Sequence, residues 1–180
     1  MRSYLFTLFI LVALILSGCS EDNIDPQIKN KSISSSNLDL KINTPTVVKK
    51  KNSFIIKTSL LYNGSEEIEL FSGDPIIRVY IYDEKGMDVR GLEYSDLGVN
   101  RKLKPGESID IKEEIRIKDP GEYEIVIQTT ELEINGQLID GIGYEKYIKE
   151  LKKNKPNVPD WYVEAQKSKI IIDDLVLTVK

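Results

Sequence analysis

Residues 108–118 read SIDIKEEIRIK, and this stretch decides the fold class. Isoleucines stand at positions 109, 111, 115 and 117, whereas charged side chains stand at 110, 112, 114, 116 and 118. A period of two puts alternate side chains on opposite faces of an extended chain, so the pattern predicts a β-strand with one buried face. Glu113 interrupts the apolar face, and we expect a bulge or a position at the rim to bring its carboxylate to water.

The same period continues on both sides of this strand, between residues typical of turns. Asn135-Gly136 gives the strongest hairpin signal, and Pro105-Gly106 has the composition of a tight turn. Residues 76–82 carry apolar groups on both faces, which predicts a central strand or one partly covered by a loop. Residues 87–102 are polar and irregular, which predicts a long loop or a weak edge strand. The other predicted strands cover residues 38–42, 54–62, 68–71, 122–134 and 169–179.

One segment, residues 143–156, breaks the β pattern. Its apolar residues recur at the spacing of one helical face, and Pro156 ends the run. We expect this amphipathic helix to pack on its own domain rather than on a partner. Its apolar stripe consists of Tyr144, Tyr147, Ile148 and Leu151.

About eight short strands with Gly and Pro turns, and one helix late in the chain, predict an all-β antiparallel sandwich. Two sheets that meet on their apolar faces satisfy the alternation of every strand. Cys19 is the only cysteine, so no disulfide can form within the chain and packing must supply the stability.

The N-terminus has the layout of a secretory signal peptide. Arg2 precedes a thirteen-residue apolar run over 4–16, which as a helix of about 20 Å is too short to span a bilayer core of roughly 30 Å. The following Leu16-Ser17-Gly18-Cys19 resembles the lipobox of bacterial lipoproteins. That resemblance implies that the Cys19 thiol carries a diacylglyceryl group, that the chain is cut before Cys19, and that lipid holds the protein on the extracytoplasmic side of a cell membrane. A cleaved signal with a chance cysteine, or a signal anchor, is the alternative.

Three segments are therefore expected: a signal peptide over 1–18, a flexible tether over 19–37 and a sandwich domain over 38–180. The tether is polar and low in large apolar groups, the composition of a chain that cannot bury enough surface to fold. Its acidic residues just after Cys19 could instead be a sorting signal.

Composition excludes several kinds of chemistry. The chain contains no histidine, which removes Ser-His-Asp catalysis, histidine metal sites and imidazole bases. We expect neither catalysis nor a cofactor. The net charge is −4, and removal of Arg2 with the signal makes it one unit more negative. A mildly acidic chain has no electrostatic reason to seek nucleic acid or anionic headgroups.

Three stretches resemble the immunoglobulin-like domain of the intracellular proteinase inhibitor family, which also occurs in bacterial lipoproteins. They are residues 61–86, 103–109 and 119–125, with an Asn turn, Ser-Gly and Asp-x-x-Gly strand ends, a Pro-Gly-Glu turn and a Pro-Gly-x-Tyr strand start. The resemblance implies an immunoglobulin-like sandwich. The tryptophan that family members commonly carry soon after the Asp-x-x-Gly strand end is replaced here by Met87-Asp88-Val89-Arg90.

Few residues point to a site. Trp161 and Tyr162 follow Pro159-Asp160 in a predicted loop, where aromatic side chains serve as binding anchors, although a tryptophan beside a helix more often covers the edge of a core. Acidic residues near strand ends suggest calcium only weakly, because turns favour aspartate for backbone reasons; these are Asp74, Asp83, Glu84 and Asp88. Asp173-Asp174 suggests either a metal-binding pair or a bulge in the last strand. We expect no metal.

The function expected from the sequence is that of a membrane-anchored lipoprotein whose sandwich is a non-catalytic binding module for an envelope protein or ligand. The alternative is a proteinase inhibitor in which an extended loop, such as Gly86 to Arg101, occupies a protease cleft.

Overall fold

The computed structural model describes residues 27–95 and 97–180. The predicted signal peptide and Cys19 lie outside the described residues. Within them the elements run in the order β1 (Ile28–Ser35), β2 (Leu38–Pro45), β3 (Val47–Val48), β4 (Ser53–Tyr62), β5 (Ile68–Gly73), β6 (Ile77–Tyr82), β7 (Gly98–Leu103), β8 (Ser108–Arg116), β9 (Gly121–Thr129), β10 (Leu132–Ile134), β11 (Gln137–Leu138), α1 (Tyr144–Asn154), α2 (Asp160–Gln166) and β12 (Ile171–Val179).

The described strands form three four-stranded sheets. The first sheet has the order β1-β2-β4-β8, the second β3-β12-β9-β6, and the third β11-β10-β5-β7. Neighbouring strands are antiparallel, except that β3 lies parallel to β12. The chain passes from the third sheet to the second at Asp74-Pro75, and from the second to the third at Thr130-Glu131.

Side chains of all three sheets meet in a single hydrophobic core. Burial alternates along the whole of β4: every second residue from Phe54 to Tyr62, including Thr58, is buried, and the residues between them are not. Full burial of a leucine or isoleucine stabilises the fold by about 1.5–3 kcal/mol. Strands with one apolar face gain this free energy only when another sheet covers that face, so the alternation favours a sandwich. The Tyr123 hydroxyl donates to the Asp119 carbonyl 3.0 Å away, the tyrosine corner of immunoglobulin-like sandwiches. The all-β, immunoglobulin-like sandwich predicted from the sequence is confirmed.

The strand at 108–118 forms as predicted, but neither explanation for Glu113 holds. Its pairing with β4 is unbroken through Ile56 opposite Glu113, so there is no bulge. The carboxylate instead forms an ion pair with Arg90, and the two side chains are only 18% and 12% exposed. A charge on an apolar face is thus matched by an opposite charge from a distant loop.

The predicted tether is wrong over residues 28–37. Strand β1 pairs with β2 along its full length, from Ile28 opposite Pro45 to Ser35 opposite Leu38. The two are joined by Ser36 and Asn37, both with positive φ. The strand forms because its backbone extends the ladder of β2 and Ile33 packs against the core, although its other side chains are mostly polar. The domain therefore begins ten residues earlier than predicted.

Strand β6 lies at the edge of the second sheet, so the prediction of a central strand is wrong. The prediction that a loop partly covers this strand is confirmed. The segment after it returns along its free edge, where the Asp88 carboxylate accepts from the Ile81 amide at 3.2 Å and the Val89 amide donates to the Ile81 carbonyl at 2.8 Å. The Val79 carbonyl accepts from the Arg90 guanidinium at 2.7 Å and from the Tyr94 hydroxyl at 3.0 Å. The residues that follow form β7, an edge strand of the third sheet.

Two glycines fix the start of α1. The Gly141 amide donates to the Lys167 carbonyl at 2.7 Å, and a β-carbon on Gly141 would lie 2.2 Å from the Lys169 carbonyl oxygen. Gly143, at φ +86, would place a β-carbon 2.1 Å from the Ile171 carbonyl oxygen. Both positions therefore require glycine, and they lock the helix entrance to the start of β12.

Helix α1 packs on its own domain as predicted, with Ile148 buried and Tyr144, Tyr147 and Leu151 half-buried. The sequence predicts one helix, but the structure has a second one, α2, where a loop was expected. Asp160 lies in its first turn, where an acidic side chain interacts favourably with the helix dipole and so favours a helix start. Within 27–95 and 97–180, neither helix is long and apolar enough to cross a bilayer.

Candidate functional site

A cleft of about 380 Å³ lies between the two helices and the outer face of the second sheet. Strands β6 and β9 form its floor, and residues 147–162 of the helical region form its wall. We call it the tyrosine cleft; its central residues are Tyr82, Val126, Tyr147, Leu151, Val158 and Tyr162.

Three tyrosines cluster in this cleft. The Tyr147 hydroxyl lies within hydrogen-bond distance of the Tyr162 hydroxyl, at 3.2 Å, and Tyr82 lies close enough to interact with both. Burial raises the pKa of both Tyr82 and Tyr147 far above the usual tyrosine range. The hydroxyls of Tyr82 and Tyr147 therefore stay protonated at physiological pH and can both donate and accept hydrogen bonds. Because a hydroxyl can donate one hydrogen bond and accept others, the bond between Tyr147 and Tyr162 leaves polar capacity for a ligand.

Carboxylates stand beside the tyrosines. Asp173 of β12 is only 8% exposed, and its carboxylate accepts a hydrogen bond from Lys146 of α1 at 2.9 Å. That bond raises the pKa of the Lys146 ammonium. Burial, followed by repulsion from Asp173, raises the pKa of Glu124. Among the described residues none forms an ion pair with Glu124, so this carboxyl is the acidic group of the cleft that can receive a ligand.

A β-bulge separates Asp173 from its neighbour. The register of β12 against β9 shifts between Ile172 and Leu175, so the bulge interpretation is confirmed. The Asp173 carboxylate faces α1, whereas the Asp174 carboxylate forms an ion pair with Lys31 on β1. The hydrogen bond from Lys31 lowers the pKa of Asp174. The two carboxylates have separate partners and do not form a metal-binding pair.

The two aromatic residues singled out in the sequence have different environments. Tyr162 is half-buried and lines the cleft. Trp161 is 71% exposed on the helix surface, so it does not cover the core, and its ring contacts Tyr162 edge to face with centroids 5.9 Å apart. The structure thus places Tyr162 in the wall of the cleft and leaves Trp161 as an exposed aromatic group beside it.

Three of the four acidic residues considered for calcium bind protein groups instead. The Asp83 carboxylate accepts from the amides of Lys85 and Met87, each at 2.9 Å, and Asp88 holds the edge of β6. Asp74 pairs with Arg101 at 3.0 Å. In the part of the chain that the structure describes, no three acidic or cysteine side chains come together as a metal-binding group.

A larger concavity of about 550 Å³ lies on the first sheet. Short side chains such as Asn43 and Ser59 form its floor, and Lys41, Lys57 and Lys112 stand around it. Its charged groups are exposed, and it lacks the enclosing helices of the tyrosine cleft. We therefore consider the smaller cleft the better candidate.

Sequence reasoning missed Tyr82 and Glu124 and recognised Tyr147 only as part of a helical stripe. The available signal was an excess of tyrosine, nine in the chain, at positions where strands and helices usually carry aliphatic residues. A buried hydroxyl needs a partner, so several tyrosines on apolar faces indicate that they bond to one another.

No protein-family model matches this chain, and no curated protein matches it. Among solved structures, the CARDB domain of the PF1109 protein from Pyrococcus furiosus, in complex with di-metal ions, is 14% identical; the match covers 83% of this chain and 95% of that one, with a TM-score of 0.38. The PapD-like domain 7 of human CEP192 is 12% identical, with 88% and 94% covered and a TM-score of 0.34. At this level of similarity no ligand, metal or partner transfers to this chain.

Proposed function

We propose that this protein is a lipid-anchored, non-catalytic binding module of the bacterial cell envelope, and that the tyrosine cleft is its ligand site. The observation that carries the proposal is the cluster of Tyr82, Tyr147 and Tyr162 in an enclosed cleft with apolar walls between two helices and a sheet, where the Tyr147 and Tyr162 hydroxyls lie 3.2 Å apart. Sites of roughly 300–1,000 Å³ with apolar walls and a few polar groups are typical of small-molecule binding.

The chemistry of the cleft favours a small ligand of mixed polarity. Val126, Leu151 and Val158 offer apolar contact, the tyrosines offer ring faces and hydroxyls, and Glu124 accepts from an amine or hydroxyl group. Asp173 is already bonded to Lys146, and Glu150, the other carboxylate of the lining, is paired with Lys153. We propose that the remaining carboxyl, Glu124, orients a ligand in the cleft and does not act on it.

Thermal shift with a panel of amino sugars, sugars and amino acids tests the cleft. At a ligand concentration a hundred times Kd, a binder stabilises the folded chain by about 2.7 kcal/mol, which raises Tm measurably. Tyr147→Phe removes the central hydroxyl and should weaken the response, whereas Tyr94→Phe, which removes a hydroxyl from the edge of β6, should not. An equal response in both variants would place the ligand elsewhere.

The anchor is proposed from the lipobox resemblance at Cys19. Replacement of Cys19 by Ala should abolish incorporation of labelled fatty acid and release the protein from membranes. Retention of the Cys19→Ala variant on membranes would contradict the anchor but not the cleft.

Proteinase inhibition through Gly86 to Arg101 is the second candidate. Met87 and Leu97 of this segment are exposed, while Asp88, Arg90 and Tyr94 fasten it to β6, and rigid presentation lowers the cost of binding. A panel of proteases assayed with the purified domain tests this activity, and the absence of any inhibition would eliminate it.

A further inference from the structure

Lysines from three separate segments meet at one end of the sandwich. The turn between β3 and β4 contains Lys49, Lys50 and Lys51. The Lys50 amide donates to the Lys180 carbonyl at 2.7 Å, and the Lys51 amide donates to the Ile117 carbonyl at 2.9 Å. We call this surface the basic end; its residues are Lys49, Lys50, Lys51, Lys118 and Lys180.

The lysines of the basic end are not held in ion pairs. Within residues 27–95 and 97–180 none of the five forms one, and all but Lys49 are exposed. Arg116 adds a sixth positive charge beside Lys118, and Asp119 is the one acidic residue in the same segments. Three further carboxylates border this end: Glu122 on β9 stands opposite Thr178, and Asp83 and Glu84 interact with the Tyr123 hydroxyl, which donates to the Asp119 carbonyl. The six positive charges exceed these four carboxylates by two. The net charge of the whole chain conceals this local excess.

The N-terminal chain enters the domain at the same end. Thr46, next to β3, donates to the Gln27 carbonyl through its amide at 2.7 Å and its hydroxyl at 3.0 Å. Gln27 is the eighth residue after Cys19. Eight residues span at most about 29 Å when fully extended, and a random coil of that length averages about 16 Å.

We propose that the basic end is a membrane-contact surface that lies on anionic phospholipid headgroups. This inference rests on the proposed anchoring at Cys19, which would hold the lysines within one or two Debye lengths of a bilayer, the Debye length being about 8 Å at physiological ionic strength. Lipid and lysines then act together, because one acyl signal with a polybasic patch anchors more firmly than either alone. Each lysine near an anionic surface increases membrane partitioning about fivefold.

Vesicle sedimentation tests the surface without the lipid. The probe chain is residues 19–180 with Cys19→Ser, which retains the whole described core. We expect it to bind phosphatidylcholine vesicles containing about one third phosphatidylglycerol, not pure phosphatidylcholine vesicles, and to dissociate in about 1 M salt. The triple variant Lys49→Gln, Lys50→Gln, Lys51→Gln should lower partitioning at least about tenfold.

The matched control removes the same charge at the opposite end. Strand β4 runs from the basic end to Tyr62, whose carbonyl accepts from the Gly106 amide in the turn that contains Lys104. Glutamine at Lys102, Lys104 and Lys167 should therefore leave vesicle binding within about twofold of the parent. Equal binding by the two triple variants, or binding that ignores phosphatidylglycerol, would overturn the proposal. The lipid anchor is tested separately, by the membrane association of the Cys19→Ala variant in cells. The proposed anchor and the proposed membrane-contact surface can therefore fail independently.

Discussion

Glu113 is a charged residue on the apolar face of its strand, and the fold accommodates it. Every other inward position of residues 108–118 is isoleucine, and the carboxylate is tolerated because Arg90 reaches it from the loop beside β6. The period of the sequence identifies the anomaly. It does not identify the partner, because residues 90 and 113 come together only once β6 and β8 occupy different sheets.

Glu113→Ala should lower the free energy of unfolding by about 1–3 kcal/mol, because it leaves the Arg90 charge half-buried without its partner. Glu69→Ala is the control: its partner Lys102 lies 4.0 Å away and both side chains are 69% exposed, so the loss should be about 0.5 kcal/mol or less. Urea unfolding measures both. If both variants lost the same free energy of unfolding, the buried ion pair would stabilise the fold no more than the exposed one.

Asp174 links stability to pH. Its pKa is lower in the folded chain than in the unfolded chain because Lys31 donates to it. The carboxylate therefore stabilises the fold above its unfolded pKa, near 3.9, and this contribution is lost as the pH falls through the folded value. Asp174→Asn should be less stable than the parent by a few tenths of a kcal/mol at pH 7, since the pair is partly exposed, and the difference should vanish near pH 2. Urea unfolding at both pH values checks the sign.

At the scale of elements, alternation and turn residues predicted most of the strands. The Asn135-Gly136 hairpin forms as expected, with both residues at positive φ, and so does the turn at Pro105-Gly106. The sequence pattern did not predict strand β1, because backbone hydrogen bonds hold this strand in the sheet and its mostly polar side chains show little apolar alternation. Helix α2 has seven residues, too few for a clear period. The tyrosine cleft could not be foreseen as a unit, since its tyrosines lie on elements whose packing no local pattern specifies.

Gly143→Ala should cost at least about 3 kcal/mol, because it adds a β-carbon against the Ile171 backbone as well as a strained positive φ. Gly86→Ala is the matched control: it has φ +72 but nothing within 4 Å of the added carbon, so only about 1 kcal/mol is expected. Thermal unfolding separates the two effects. If both variants lost the same stability, contact between the α1 entrance and β12 would be unimportant.

At the scale of the whole molecule, the extent of the domain follows from β1. A chain that starts at residue 38 lacks the strand that covers one edge of the first sheet and loses the ion pair between Lys31 and Asp174. We expect it to unfold at a lower urea concentration than a chain that starts at residue 27, and to show faster amide exchange in β2. Identical midpoints and exchange rates would show that β1 is not part of the cooperative unit.

The segment that returns along β6 also limits how copies of the protein can associate. Sheets grow when a foreign strand finds unpaired carbonyl and amide groups along an edge. Here the carbonyls of Val79 and Ile81 are already occupied by Arg90, Tyr94 and Val89. This occupied edge therefore disfavours the addition of a strand from a second copy, and among the described strands the other sheet edges are β1, β3, β7, β8 and β11.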